Sequence, residues 1–187
     1  MKGIVFTELV EMIEDRFGLE TAERILSSAC PHSGGAYTAV GTYDHREMVA
    51  IISELSRSCD VPEEALYIAF GHHVMAVFEA DYAGFFEQPR NTFEFLATLE
   101  DVIHVEVQKL YPDAELPSFQ YEMLSGDEMA IEYRSARPFA YLARGLIEAT
   151  IAHYDESITI EHQDLSDGRN DHARFRLTRQ PTETTAV

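Results

Sequence analysis

Pro112 and Pro117 divide this chain into two stretches with different hydrophobic periods. A proline removes a helical donor and clashes with the preceding turn, so a helix entering this segment has to end there. Before it, apolar residues recur at helical spacing; after it, they alternate. Ile4, Leu9, Met12, Ile13 and Phe17 predict a first helix, stopped by Gly18. A second is expected from about Thr21 to Cys30, ended by Pro31. Asp44 suits the cap of a helix through Leu55 that buries Met48, Ile51, Ile52 and Leu55. Asp60-Val61-Pro62-Glu63-Glu64 reads as another start, with Asp60 as cap and acids at the positive end of the dipole. That helix carries Leu66, Ile68, Phe70, Val74 and Phe78. A further segment begins near Asp81, and a long helix is expected from Thr92 to Tyr111.

Beyond Pro117, SFQYEML and EMAIEYRSAR alternate on either side of Ser125-Gly126-Asp127, the pattern of a β-hairpin. SITIEHQDL and HARFRLTRQ repeat it around the turn Ser166 to Asn170, and Pro138 to about His153 between the hairpins is helical. The fold class is therefore α+β: an N-terminal helical subdomain, then a four-stranded antiparallel sheet with one helix packed on it. A length of 187 residues suits one domain over residues 1–180, helical to about 111 and sheet-based from about 118. A disordered tail is expected at 181–187.

The 33 acidic and 14 basic residues give a net charge of −19, which repels nucleic acid and anionic membranes and steers in partners with a basic face. Cys30 and Cys59 have neither CxxC nor CxxCH spacing, so they indicate no zinc ribbon or covalent haem attachment, and each reads as a buried small hydrophobe. The start MKGIVFTELVEMIEDRFG lacks the apolar core of a signal peptide, and no run approaches a membrane span. A reducing cytoplasm is the expected location.

Two constellations carry chemistry. On a helical wheel with Ile103 at zero, Leu96, Leu99, Val107 and Leu110 lie within about 40°. His104, at about 100°, borders this apolar face. A neutral imidazole there can satisfy a core hydrogen bond or hold a metal through Nε2. With no HxxxH or HExxH nearby, a lone histidine serves as ligand only where a macrocycle supplies the other bonds, as in haem. The second is Tyr133-Arg134-Ser135-Ala136-Arg137. Strand alternation puts Tyr133, Ser135 and Arg137 on the face of Met129 and Ile131. An inward arginine needs an anion: two adjacent carboxylates on a ligand would use all three side chains, and a surface acid would satisfy the arginine alone.

Together these features resemble the haem–nitric oxide/oxygen binding (H-NOX) family, bacterial sensors related to the haem domain of soluble guanylate cyclase. The resemblance rests on the opening MKGIVFTELVEMIEDRFG, on the His104–Leu110 helix with Tyr111-Pro112-Asp113 and Leu116-Pro117, and on Tyr133-x-Ser135-x-Arg137 with Gly145-Leu146-Ile147-Glu148. It covers about residues 1–180. It implies non-covalent haem b (iron protoporphyrin IX) between the two subdomains, with His104 as proximal iron ligand. It further implies that Tyr133, Ser135 and Arg137 bind the propionates, and that Pro117 presses on the porphyrin. Val5, Leu9, Phe70, Val74, Phe78 and Leu146 become pocket walls.

Relatives that hold oxygen often place a tyrosine five residues after the motif arginine. Here that residue is Leu142, which favours nitric oxide, and possible CO binding, over stable O2. The neighbouring Tyr141 points about 100° away on a helix. The resemblance also implies a sensor without enzymatic activity, signalling to a histidine kinase or a cyclic-di-GMP enzyme; no kinase or cyclase motif occurs in the sequence. The Cys/His cluster of some relatives is missing. His162, Asp164, Asp167, Asp171 and His172 stand in that stretch and read as turn acids and a solvated face rather than a metal site. Two rivals remain: a haem-free interaction module with His104 in its core, and an oxygen carrier or haem enzyme drawing on His72 and His73.

Overall fold

The computed structural model describes residues 1–30 and 34–181. Pro31 and residues 182–187, on which the expected helix stop and most of the expected tail fall, lie outside them. The α+β architecture read from the sequence is the one the chain adopts.

The first helices follow their hydrophobic faces. Helix α1 (Gly3–Phe17) buries Phe6, Leu9, Met12 and Ile13. Helix α2 (Leu19–Ala29) starts two residues before Thr21 and buries Ala22 and Ile25. Helix α3 (His45–Cys59) is capped by Asp44, whose side chain accepts from the Arg46 N–H, and buries Met48, Ile51, Ile52 and Leu55. These faces close on helix α4 (Glu63–Asp81) through Leu66, Tyr67 and Phe70 to form a helical core. Asp60 does not cap α4 as expected: it ends α3 in the left-handed conformation, φ 55°. With only Val61 and Pro62 left between the helices, the chain has to turn at Asp60, and aspartate tolerates that region. Cys30 is buried, whereas Cys59 is half-exposed.

The expected helix from Thr92 to Tyr111 is three pieces. Helix α5 (Thr92–Leu96) is followed by a bend, a π-helical turn (Leu99–Ile103) and helix α6 (His104–Leu110). The Thr98 hydroxyl donates to the Phe95 carbonyl at 2.7 Å, a local bond that competes with helix continuation. The wide turn then rotates α6 relative to α5, so Leu110, on the predicted apolar face, is 57% exposed.

The sheet runs in the order β1 (Ser118–Met123), β2 (Glu128–Arg134), β4 (His172–Arg179), β3 (Ile158–Asp164), all antiparallel. Register pairs Met129 with Leu177, Ile131 with Phe175 and Tyr133 with Ala173, which puts six buried side chains on one face. The other face carries ion pairs such as Arg176 to Glu128 at 3.1 Å. Helix α7 (Ala140–His153) covers the apolar face with Ala143, Ile147 and Ile151. It begins two residues after Pro138, and β2 ends at Arg134 rather than Arg137.

A close helix crossing joins the halves. Where α4 crosses α7, Gly71 meets Gly145: a Cβ at Gly145 would lie 2.3 Å from the Ile68 carbonyl oxygen, and one at Gly71 would lie 2.7 Å from the Gly145 Cα. The helices touch backbone to backbone. Gly145→Ala should therefore destabilise the protein by about 1–3 kcal/mol, because forced separation outweighs the roughly 1 kcal/mol gained from helix propensity. A urea midpoint that rises in this variant would contradict the crossing.

Candidate functional site

His104 opens α6 directly behind the π-helical turn, and its backbone N–H closes that turn on the Leu99 carbonyl. Such widened turns recur at functional positions because they re-aim the next side chain. The imidazole side chain is 15% exposed. Burial lowers its pKa below the ordinary histidine value, with the Glu100 carboxylate opposing that shift. It therefore favours the neutral form, the one that can ligate a metal. Nδ1 lies 3.4 Å from Glu100 Oε1.

A ladder of rings leads from His104 to the strand motif. The imidazole is 5.8 Å from the Phe119 ring, and Phe119 is 5.3 Å from its cross-strand partner Tyr133. Although β2 stops at Arg134, the alternation persists: Ser135 donates its N–H to the Asp171 carbonyl at 2.8 Å, Tyr133 and Arg137 are buried, and Arg134 and Ala136 are exposed. The Tyr133 hydroxyl has its pKa pushed up to about 12, chiefly by burial, against the pull of Ser135 and Arg137. The Ser135 hydroxyl accepts the Arg137 N–H at 3.1 Å.

Arg137 is the electrostatic focus. Its side chain is 11% exposed, and its guanidinium donates to the Glu115 carbonyl at 2.7 Å and to the Glu115 carboxylate at 2.5 Å. Of the two partners weighed for it from sequence, a surface acid is the one it meets. That carboxylate is 79% exposed and belongs to the turn between α6 and β1. A cleft of about 330 Å³ opens here, lined by Met1, Tyr43, Asp44, His45, Glu115 and Arg137. A buried guanidinium facing a cleft, held by an acid that solvent can take back, is suited to a carboxylate ligand.

The remaining candidates fall in two sets. Val5, Val74 and Leu142 pack half-buried against the helical core, and Phe78 and Leu146 pack against the sheet core. Val74, Phe78, Leu142 and Leu146 lie on α4 and α7, the two helices whose crossing joins the cores; Val5 lies on α1. Leu9 and Phe70 have no accessible surface and lie within the helical core. Pro117 is half-buried immediately before β1. The Tyr141 ring meets the His162 ring at 4.7 Å and packs, as Leu142 does, against the helical core. His72 and His73 engage Glu148 at 3.1 Å and Glu8 at 3.2 Å. Asp164 accepts from Ser166 and Gly168 in the β3–β4 turn, and His172 reaches Glu132 at 3.0 Å. Sequence reasoning missed Glu100 and Glu115. Both are acids on turns, without a periodic signal; Glu100's place four residues before His104 was the one clue.

This donor set fits haem: a neutral imidazole for the iron, an arginine with two hydroxyls for the carboxylates, and half-buried apolar residues between two cores. The comparisons agree. The chain belongs to the haem-NO-binding family, whose model matches residues 2–162. This is a family of gas-sensing haem domains. The chain is 33% identical to the H-NOX protein of K. algicida, with complete coverage of both chains and a TM-score of 0.91 to its Fe(II) unliganded crystal structure. It is 35% identical to the H-NOX protein of Shewanella woodyi, again with complete coverage and a TM-score of 0.81 to its solution structure in the Fe(II)CO state with IWP-051 bound. The Fe(II)NO structure of the S. oneidensis H-NOX protein shares the fold, with 24% identity over 97% of this chain and 100% of that one, and a TM-score of 0.87. No curated protein matches the sequence.

Arg137→Met should speed transfer of haem to a scavenging protein by roughly 10- to 100-fold, since a charge-assisted hydrogen bond contributes about 1.5–3 kcal/mol and each 1.4 kcal/mol is tenfold. A transfer rate equal to the parent's would remove Arg137 from the site.

Proposed function

We propose that this chain is a nitric oxide sensor that binds haem b non-covalently through His104 and passes a change of shape to a partner protein. Two observations carry this reading: a histidine side chain only 15% exposed, whose pKa burial lowers, and a buried arginine whose counter-ion is a solvent-exposed acid. Held through His104, ferrous haem would supply the iron that takes up a diatomic gas. The protein's part is to hold, orient and shield. His104 offers the Nε2 lone pair. Arg137 gives up Glu115 for a propionate, with the Tyr133 and Ser135 hydroxyls beside it. Val5, Val74, Phe78, Leu142 and Leu146 exclude water from the rings.

Leu142 sets the gas preference. A polar bound O2 gains from a hydrogen-bond donor, whereas NO needs little help. Leu142 offers no donor, and the ring of its neighbour Tyr141 packs against His162. This supports NO, with CO as a second ligand, over stable O2. Signalling requires the gas to favour one arrangement of the two halves over another. His104 on α6 and Pro117 before β1 bracket the turn that joins them, so a change in the load on His104 reaches the sheet by the shortest path. A histidine kinase or a cyclic-di-GMP enzyme is the partner class the family resemblance suggests. An acidic chain, at −19, favours a basic docking face on that partner. Residues 1–180 act as one unit in this reading, with 181–187 as a tail outside it. No helix among the described residues is long and apolar enough to cross a membrane; we place the sensor in the cytoplasm.

His104→Gly should fold and lose its haem, and added imidazole should restore haem binding. Normal haem retention without imidazole would overturn the ligand assignment.

A further inference from the structure

We infer that Glu100 is the positioning residue for His104: its carboxylate accepts the Nδ1–H, leaves the Nε2 lone pair for iron, and ties His104 to the first strand of the sheet. The inference rests on the haem reading above. Three observations on this chain carry it.

The first is proximity. Glu100 Oε1 lies 3.4 Å from His104 Nδ1, within ion-pair reach and longer than a well-formed hydrogen bond. A histidine that ligates a metal through one nitrogen nearly always donates the other N–H to a carboxylate, carbonyl or water. This partner decides the tautomer and raises the basicity of the ligating nitrogen.

The second is the backbone that puts Glu100 there. It sits in the π-helical turn Leu99–Ile103, immediately ahead of His104, and the bend after Leu96 separates this turn from α5. Glu100 is therefore aimed by the same irregular turn as the histidine. Its side chain is 43% exposed, so the carboxylate carries its charge at modest desolvation cost.

The third is that Glu100 is not a free surface acid. The same Oε1 accepts the backbone N–H of Phe119, a donor of edge strand β1. The Phe119 ring in turn lies between those of His104 and Tyr133, tilted to both. One oxygen therefore serves both the axial histidine and the strand that begins just after Pro117. Any movement of His104 draws on the Phe119 bond, and any shift of β1 changes how the carboxylate meets Nδ1.

The electronic consequence has a definite sign. A carboxylate at Nδ1 gives the imidazole part of the character of an imidazolate. That strengthens the bond from Nε2 to iron, lowers the haem midpoint potential, and makes the histidine harder to displace when NO binds opposite it.

Glu100→Gln and Glu100→Ala separate this role from simple bracing. Glutamine keeps an oxygen for the Phe119 N–H but has no negative charge; alanine loses both. The readouts are the Fe(II)–histidine stretching frequency by resonance Raman under argon, the midpoint potential, and the five-coordinate fraction after NO is added. In Glu100→Gln the frequency should fall, the potential should rise and the five-coordinate fraction should grow, with Glu100→Ala at least as far in the same directions. Parent values in both variants would overturn the proposal. So would a shift in Glu100→Ala alone, which would make Glu100 only a brace for β1. A parent protein that shows no Fe(II)–histidine mode would instead overturn the haem reading beneath it, and that failure is visible before any variant is made.

Discussion

The backbone contact between α4 and α7 at Gly71 and Gly145 is the constraint on which the rest of this molecule depends. The chain builds two hydrophobic cores from two different periodicities, one among helices and one between a helix and a sheet. Nothing in either pattern says how the cores should meet. The glycines decide it: removing both side chains lets the Ile68 carbonyl approach α7 directly. Larger residues would hold the helices apart and alter the boundary that Val74 and Phe78 share with Leu142 and Leu146. These four lie on the two crossing helices, so the spacing of the crossing sets how they pack against the two cores.

Electrostatics then explain why a strongly acidic protein would still take a dianionic ligand. A net charge of −19 opposes a group with two carboxylates. A local cation has to overcome that, and it has to be shielded from water to be effective at short range. Arg137 meets both conditions. Leaving such a cation buried without an anion is costly, and Glu115 supplies one until a better partner arrives. The exchange is inexpensive because the Glu115 side chain is already mostly in water. The Glu115 pair thus keeps the arginine folded inward.

Much of this was legible in the sequence, and the failures have physical reasons. Strand alternation over Met129, Ile131 and Tyr133 gave the buried face of β2, because a sheet with one covered face enforces period two. It also placed Arg137 inward, although the strand itself ends at Arg134. The strand order β1-β2-β4-β3 was beyond local reading, since the pairing of β2 with β4 joins residues some forty positions apart. The break at Ala97 and Thr98 was hidden because apolar residues keep near-helical spacing across it, and a π-turn changes phase without changing composition. Asp60 was misassigned because an acid between two helices is equally readable as the cap of either. Glu100 and Glu115, which finish the histidine and arginine sites, stand on turns where no periodicity points. Sequence thus singled out His104 and Arg137, while the acids beside them emerged only with the backbone.

The central claim is that this chain presents His104 to a haem iron and an apolar face to the gas. An absorption spectrum of the reduced protein, taken under argon, then NO, then air, tests it most directly. The account predicts a five-coordinate ferrous Soret band under argon, a shifted band with NO, and no stable complex in air. A stable oxygen complex would contradict the role given to Leu142. The lack of any Soret band after reconstitution with haem would contradict the haem site itself and leave an acidic protein-interaction module in its place.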